Sequence, residues 1–140
     1  MKTLTKIYSP ERLHENEFLD FEKHFSVKLT PEIRDFISDY HGSKVKEILF
    51  VDSKQELWVL NSFFSFREAI DLAGEFSKTY NRKLMPFAYD PGGWHFCISL
   101  EEGEYNVVYI NRWTDHLPEE QFLKIANSLE EFIDSLQPEQ

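Results

Sequence analysis

The sequence predicts an α+β fold, with an antiparallel sheet of about five strands packed against about four helices in a single domain, residues 1–140. Three observations carry that expectation. Apolar residues recur at helical spacing behind start signals at Thr30, Ser65 and Ser128. Three runs rich in aromatic and aliphatic residues, between Leu84 and Asn111, follow one another across turns too short for a crossover connection. The chain's 140 residues also contain no internal repeat, low-complexity tract or linker that would mark a domain boundary.

The first helix is expected from about Glu17 to Phe25, because Phe18, Phe21 and Phe25 share one face at that spacing. Thr30 then offers an N-cap oxygen, and Pro31 occupies the first helical position, where a missing N–H costs nothing. Ile33, Phe36, Ile37 and Tyr40 form the buried stripe of this second helix, and Gly42 can adopt the left-handed conformation that ends it. Val45 to Val51 and Glu56 to Asn61 read as a hairpin turning at Asp52-Ser53-Lys54. Ser65 and Glu68 make a capping box for a helix reaching about Tyr80, with Ala69, Leu72, Ala73, Phe76 and Tyr80 inward.

Leu84 to Tyr89, Trp94 to Leu100 and Asn106 to Asn111 read as strands joined at Asp90-Pro91-Gly92-Gly93 and Glu101-Glu102-Gly103-Glu104. Alternation in the middle strand sends Trp94, Phe96, Ile98 and Leu100 to one face and His95, Cys97 and Ser99 to the other. Ser128 and Glu131 form a second capping box, opening a terminal helix with Leu129, Phe132, Ile133 and Leu136 on its apolar side.

Composition narrows the function classes. Thirteen phenylalanines in a 16% aromatic chain supply a large core, so neither a metal nor a disulfide is needed for folding. No apolar run reaches the length of a membrane span, and the polar stretch Ser9 to Asn16 stands where a secretory signal needs its apolar segment. The lone Cys97 cannot make an internal disulfide, and these features together point to the reducing cytoplasm. Net charge is −10 and unevenly spread: residues 101–140 hold ten acidic side chains against only Arg112 and Lys124. Such a surface repels phosphate backbones, disfavouring direct nucleic-acid binding, and steers basic partners toward the C-terminal part. Solubility alone would also account for the acidity.

The order of these motifs resembles the SUKH superfamily, which takes in the SMI/KNR group. The resemblance runs from about Glu17 to Leu136. Its opening mark is the proline-started helix, Leu29-Thr30-Pro31 through Phe36-Ile37 to Tyr40-His41-Gly42. Its middle mark is Pro86-Phe87-Ala88-Tyr89-Asp90-Pro91-Gly92-Gly93 running into Trp94-His95-Phe96-Cys97-Ile98. Val107-Val108-Tyr109 and the segment Ile125 to Ile133 complete the series. The resemblance implies binding rather than chemistry. Bacterial relatives are mostly cytoplasmic immunity proteins that neutralise toxins, many of them basic nucleases, whereas fungal relatives are scaffolds in cell-wall regulation. An acidic protein suits the first role by charge. The alternative is a regulatory scaffold or housekeeping interaction module.

Residue by residue, no catalytic, cofactor-binding or metal-ligating set emerges. His95 and Cys97 share a strand face, yet neighbours two apart stand roughly 6–7 Å from each other, too far for a nucleophile–base hydrogen bond. Packing is the simpler role for Cys97. His14, His24, His41, His95 and His116 form no helical pair or cysteine–histidine cluster of zinc type. Gly92-Gly93 is explained by its hairpin turn. The candidates for contact with a protein partner are Glu101, Glu102 and Glu104 in one turn, together with Trp113 and Asp115. The glutamates are either a solvated tip or a contact rim. Trp58, Trp94 and Trp113 divide between core and contact, with Trp113, in a polar stretch, the best placed for exposure.

Overall fold

The computed structural model describes residues 1–10, 13–113 and 117–140. A short strand, β1 (Lys6–Tyr8), precedes helix α1 (Glu15–Phe25), which starts two residues before the predicted Glu17. Glu17 is still the capping residue, since its carboxylate accepts from the His14 N–H at 2.9 Å. Phe18 and Phe21 are buried, while Phe25 is half-buried. Helix α2 (Pro31–Tyr40) begins as its sequence requires, with the Thr30 hydroxyl accepting from Ile33 N–H at 3.3 Å. Gly42 then takes φ +67°, and its N–H donates to the Phe64 carbonyl at 2.8 Å. A Cβ at Gly42 would also stand 3.1 Å from Pro10 Cγ, so both the backbone conformation and the close approach call for glycine.

The run after Gly42 divides into β2 (Lys44–Val45), paired with β1, and β3 (Glu47–Val51), paired with β4 (Leu57–Val59) in the expected hairpin. The hairpin turn is organised by Asp52. Its carboxylate accepts from Lys54 N–H, Glu56 N–H and Trp58 Nε1–H at 2.8, 3.0 and 3.0 Å. Burial alone would raise the Asp52 pKa, but these hydrogen bonds outweigh it and hold the carboxyl below its ordinary value.

After β5 (Ser62–Phe63), helix α3 (Phe66–Tyr80) opens on the Ser65–Glu68 capping box and closes at Asn81 in the left-handed region. Three strands follow in a meander, β6 (Leu84–Tyr89), β7 (His95–Ser99) and β8 (Val108–Asn111). A 3₁₀ turn at Pro118–Glu120 leads to β9 (Phe122–Ala126), helix α4 (Leu129–Ser135) and β10 (Gln137–Pro138). The Ser128 hydroxyl caps α4 as predicted, but the Glu131 carboxylate returns to the Asn127 N–H, one residue earlier than a capping box would place it.

The five-stranded sheet is antiparallel, in the order β5-β6-β7-β8-β9; β10-β3-β4 and β1-β2 form separate small sheets. The class and the strand count match the expectation, but the membership differs. The β3–β4 hairpin stands apart, and β5 and β9 complete the large sheet. Both are hard to read: β5 has two residues, and a lysine interrupts the apolar run of β9.

Both faces of β7 are covered. Cys97 joins Phe76 of α3 and Leu84 in a small cluster on one side, while Phe96 and Ile98 enter the main core on the other. A bulge in β6 sets Phe87 and Ala88 together opposite Phe96, so two successive residues reach the main core. Phe132 of α4, with no exposed surface, meets Phe50, Phe87 and Phe96 at ring-centroid distances of 4.8, 5.7 and 5.4 Å. Replacing it leaves a cavity walled by three sheet residues that cannot all move in. Phe132→Ala is therefore expected to cost about 3–5 kcal/mol, read as a lowered urea midpoint with an unchanged slope.

Candidate partner-binding surface

Among the described residues, the candidates for partner contact lie at opposite ends of β8, the glutamates in the turn before it and Trp113 just after it. Glu101, Glu102 and Glu104 belong to the β7–β8 turn, which is tied down on three sides. Within it, Asn106 N–H donates to Ser99 O at 2.9 Å and Ser99 N–H to Val107 O at 2.8 Å. The Asn106 side chain bridges to α4, donating to Glu130 and accepting from Leu129 N–H at 3.0 and 3.3 Å. Tyr105 reaches the α1–α2 joint, where its hydroxyl donates to the Lys28 carbonyl at 2.9 Å and accepts from Thr30 N–H at 3.2 Å.

The three glutamates are not equivalent. Arg82 Nε–H donates to both oxygens of Glu101, at 2.9 and 3.1 Å, and its Nη2 lies 2.8 Å from Glu101 and 3.8 Å from Glu104. The same guanidinium lies 5.5 Å from the centre of the Tyr109 ring and 5.4 Å from that of Phe122. Glu101 is consequently half-buried and neutralised, Glu104 is loosely held, and Glu102 is exposed without an ion pair among the described residues. Nothing in the local sequence shows this, because Arg82 is contributed from the far side of two strands.

Trp113 is 52% exposed, and its indole N–H donates to the Gly93 carbonyl at 3.1 Å. That carbonyl is itself fixed by the β6–β7 turn, where the Asp90 carboxylate accepts from Gly92 N–H and Trp94 N–H at 2.9 and 2.8 Å. Arg112 braces the other side by donating to the Glu120 carbonyl. The tryptophan is thus a large exposed ring held in place by a hydrogen bond. Asp115 lies outside the described residues. Trp58 is buried, and Trp94 packs half-buried at 6.4 Å from it. The length of β8 separates the glutamate turn from Trp113, roughly 13 Å of strand.

A second acidic strip escaped the sequence reading. Glu32, Asp35 and Asp39 are all exposed on α2, opposite the Ile33/Phe36/Ile37/Tyr40 stripe. Asp35 borders two surface grooves, of about 420 Å³ against α1 and about 250 Å³ against Met1–Thr3. The strip's signal in the sequence is the spacing i, i+3, i+7, which a segment's net charge conceals because nearby basic residues offset it.

The SMI1 / KNR4 family (SUKH-1) model matches residues 12–135, from just ahead of α1 to the end of α4. The chain belongs to the SMI1/KNR4 (SUKH-1) family. It is also similar to the SPbeta prophage-derived uncharacterized protein YokK of Bacillus subtilis (strain 168), at 24% identity over 150 residues, covering 89% of this chain and 75% of that protein. Proteins of the SUKH-1 family are generally non-catalytic immunity or regulatory proteins. The matched segment excludes β1 and β10, which attach to the adjoining strands β2 and β3.

The candidate reactive pair in this SUKH-1 chain is Cys97 and His95, on neighbouring positions of one strand face. Cys97 is fully buried, burial pushes its thiol well above the ordinary range, and its Sγ lies 3.8 Å from the His95 carbonyl rather than the ring. His95 packs against Phe64 and Phe76. Among the described residues, no three His, Cys, Asp or Glu side chains are grouped to hold a metal ion, and no helix is long and apolar enough to cross a membrane.

Burial lowers the His95 pKa, against the opposing pull of Asp90 and Glu75. The unfolded chain therefore takes up this proton first as pH falls, so His95 contributes stability above about pH 6.5 that declines as pH drops below it. In a His95→Asn variant the melting temperature is expected to vary less between pH 7 and 5 than in the parent, read by thermal melts across that range.

Proposed function

We propose that this chain is an immunity protein that binds and neutralises a cognate bacterial toxin in the cytoplasm, without performing chemistry of its own. The observation carrying the reading is the SUKH-1 match across residues 12–135. A prophage-derived relative is in keeping with it. So is the net charge of −10, which complements a toxin with a basic surface, a nuclease being the best fit by charge. The same charge argues against direct contact with nucleic acid. On this reading the whole chain acts as one domain, with no cofactor.

The two ends of β8 have different tasks on this reading. Trp113, an exposed ring already fixed by Gly93, loses little freedom on docking and serves as an anchor. Glu102 and Glu104, in solvent, act at a distance on the rate of encounter. Glu101, already paired with Arg82, contributes little charge to a partner.

Co-expression with the toxin encoded beside its gene is expected to restore growth and to give a stable complex on a sizing column. Loss of both outcomes rejects the immunity reading and leaves the regulatory scaffold as its successor. Trp113→Ala is expected to weaken the complex by about 2 kcal/mol, mostly through faster dissociation. Glu102→Lys with Glu104→Lys should instead slow association and flatten its salt dependence, both read by surface plasmon resonance.

A further inference from the structure

Strand β9 ends the five-stranded sheet, and its register identifies which of its main-chain groups point outward. Arg112 N–H donates to the Gln121 carbonyl, and Ile110 stands opposite Leu123. In an antiparallel ladder those are the hydrogen-bonded pairs, so the N–H and C=O groups of Phe122 and Lys124 face away from β8. A groove of about 390 Å³ is bordered by this strand from Leu123 to Ala126. Leu123, Ile125 and Ala126 line it on the strand side, and Ser53 and Lys54 of the β3–β4 turn close the opposite wall.

The charges around the groove run against those of the whole molecule. Lys54 and Lys124 both line it, and neither makes an ion pair among the described residues of a chain whose net charge is −10. Glu131 also borders the groove, with its carboxylate turned to the Asn127 N–H. A lysine and a bulge are common guards against edge-to-edge pairing, and β9 has both, the bulge falling at Ile125. They disfavour a second copy of the same edge, which would bring its own Lys124 alongside. An extended segment bearing carboxylates meets the opposite balance, gaining main-chain bonds at Phe122 and Lys124 and charge pairing at both lysines.

We infer that the β9 edge is a strand-addition site for an extended acidic segment of a protein partner, which pairs antiparallel or parallel to Phe122–Ala126 within the groove closed by Lys54. The inference does not depend on the partner being a toxin, and it uses a surface distinct from Trp113 and the glutamate turn.

The test is a titration of the ¹⁵N-labelled full chain with a blocked hexapeptide of alternating valine and glutamate, followed by amide shifts. The expected result is saturable movement of the amides of residues 122–127 and 53–54. The matching valine–lysine peptide should leave them in place. Lys54→Glu with Lys124→Glu is expected to weaken binding at least about tenfold. Lys124→Pro removes an outward N–H without touching the β8 ladder, so it should abolish binding while the melting temperature holds. The inference is overturned by no movement at about 5 mM peptide, by equal binding of the lysine peptide, or by shifts centred elsewhere. Concentration-dependent dimerisation through the same amides overturns it as well, since a second copy would then cover the edge. Toxin capture that survives Lys124→Pro leaves the immunity reading intact whichever way the peptide result falls.

Discussion

The ring of Phe132 touches Phe50 of the three-stranded sheet and both Phe87 and Phe96 of the five-stranded sheet. Through this ring α4, the small sheet and the large sheet meet at one point. From it the aromatic packing continues outward, Phe87 to Phe36 and Phe63, and Phe36 to Tyr40. Of thirteen phenylalanines, all but Phe25, Phe64 and Phe122 are buried. Rings of this size fill the space between layers only when their backbones are held at fixed separations. The bulge at Phe87–Ala88 is one such adjustment, since without it Ala88 would stand opposite His95 on the other face of the sheet, and only Phe87 would meet Phe96.

A core held from the centre frees the turns and edges from structural duty, and there the exposed features collect. The β7–β8 turn is tied to α4 through Asn106, whereas the β3–β4 turn depends on Asp52 and the β6–β7 turn on Asp90, each a short polar side chain serving nearby backbone groups. These side chains fix the loop conformations locally. Surface residues such as Trp113 and Glu102 can therefore be exchanged without disturbing the layers beneath, which suits the proposed role, in which partners are told apart by side-chain detail.

What could be read in advance follows from where the information resides. Helices α2 and α3 were legible because Thr30-Pro31 and Ser65–Glu68 are local signals, complete within four residues. Strands β6 to β8 were legible because both turns between them are short. The pairings of β1 with β2, β10 with β3 and β5 with β6 were not, since each involves a strand of two or three residues placed by distant neighbours. Strand β9 failed for a different reason: Lys124 breaks its apolar run, and as an edge strand it has only one partner to satisfy. Among the site residues, the exposure of Trp113 followed from its polar surroundings. The Arg82–Glu101 pair could not be foreseen, because it joins the start of one strand to the end of another.

The same geometry bears on how a strongly acidic chain would hold both the proposed basic partner and the proposed acidic strand. Charge summed over the molecule acts at distances near the Debye length, about 8 Å at physiological ionic strength, and governs approach. Contacts inside a groove are decided by the few groups lining it, and beside β9 those include Lys54 and Lys124. Strand β9 runs antiparallel to β8, with Phe122 opposite Asn111 and Ala126 opposite Val108. Its free edge therefore extends from the Trp113 end of the meander to the glutamate-turn end. A segment lying along it would span the distance that separates those two surfaces. The sheet edge thus supplies, in one direction of the main chain, the continuity that the exposed side chains at its two ends lack.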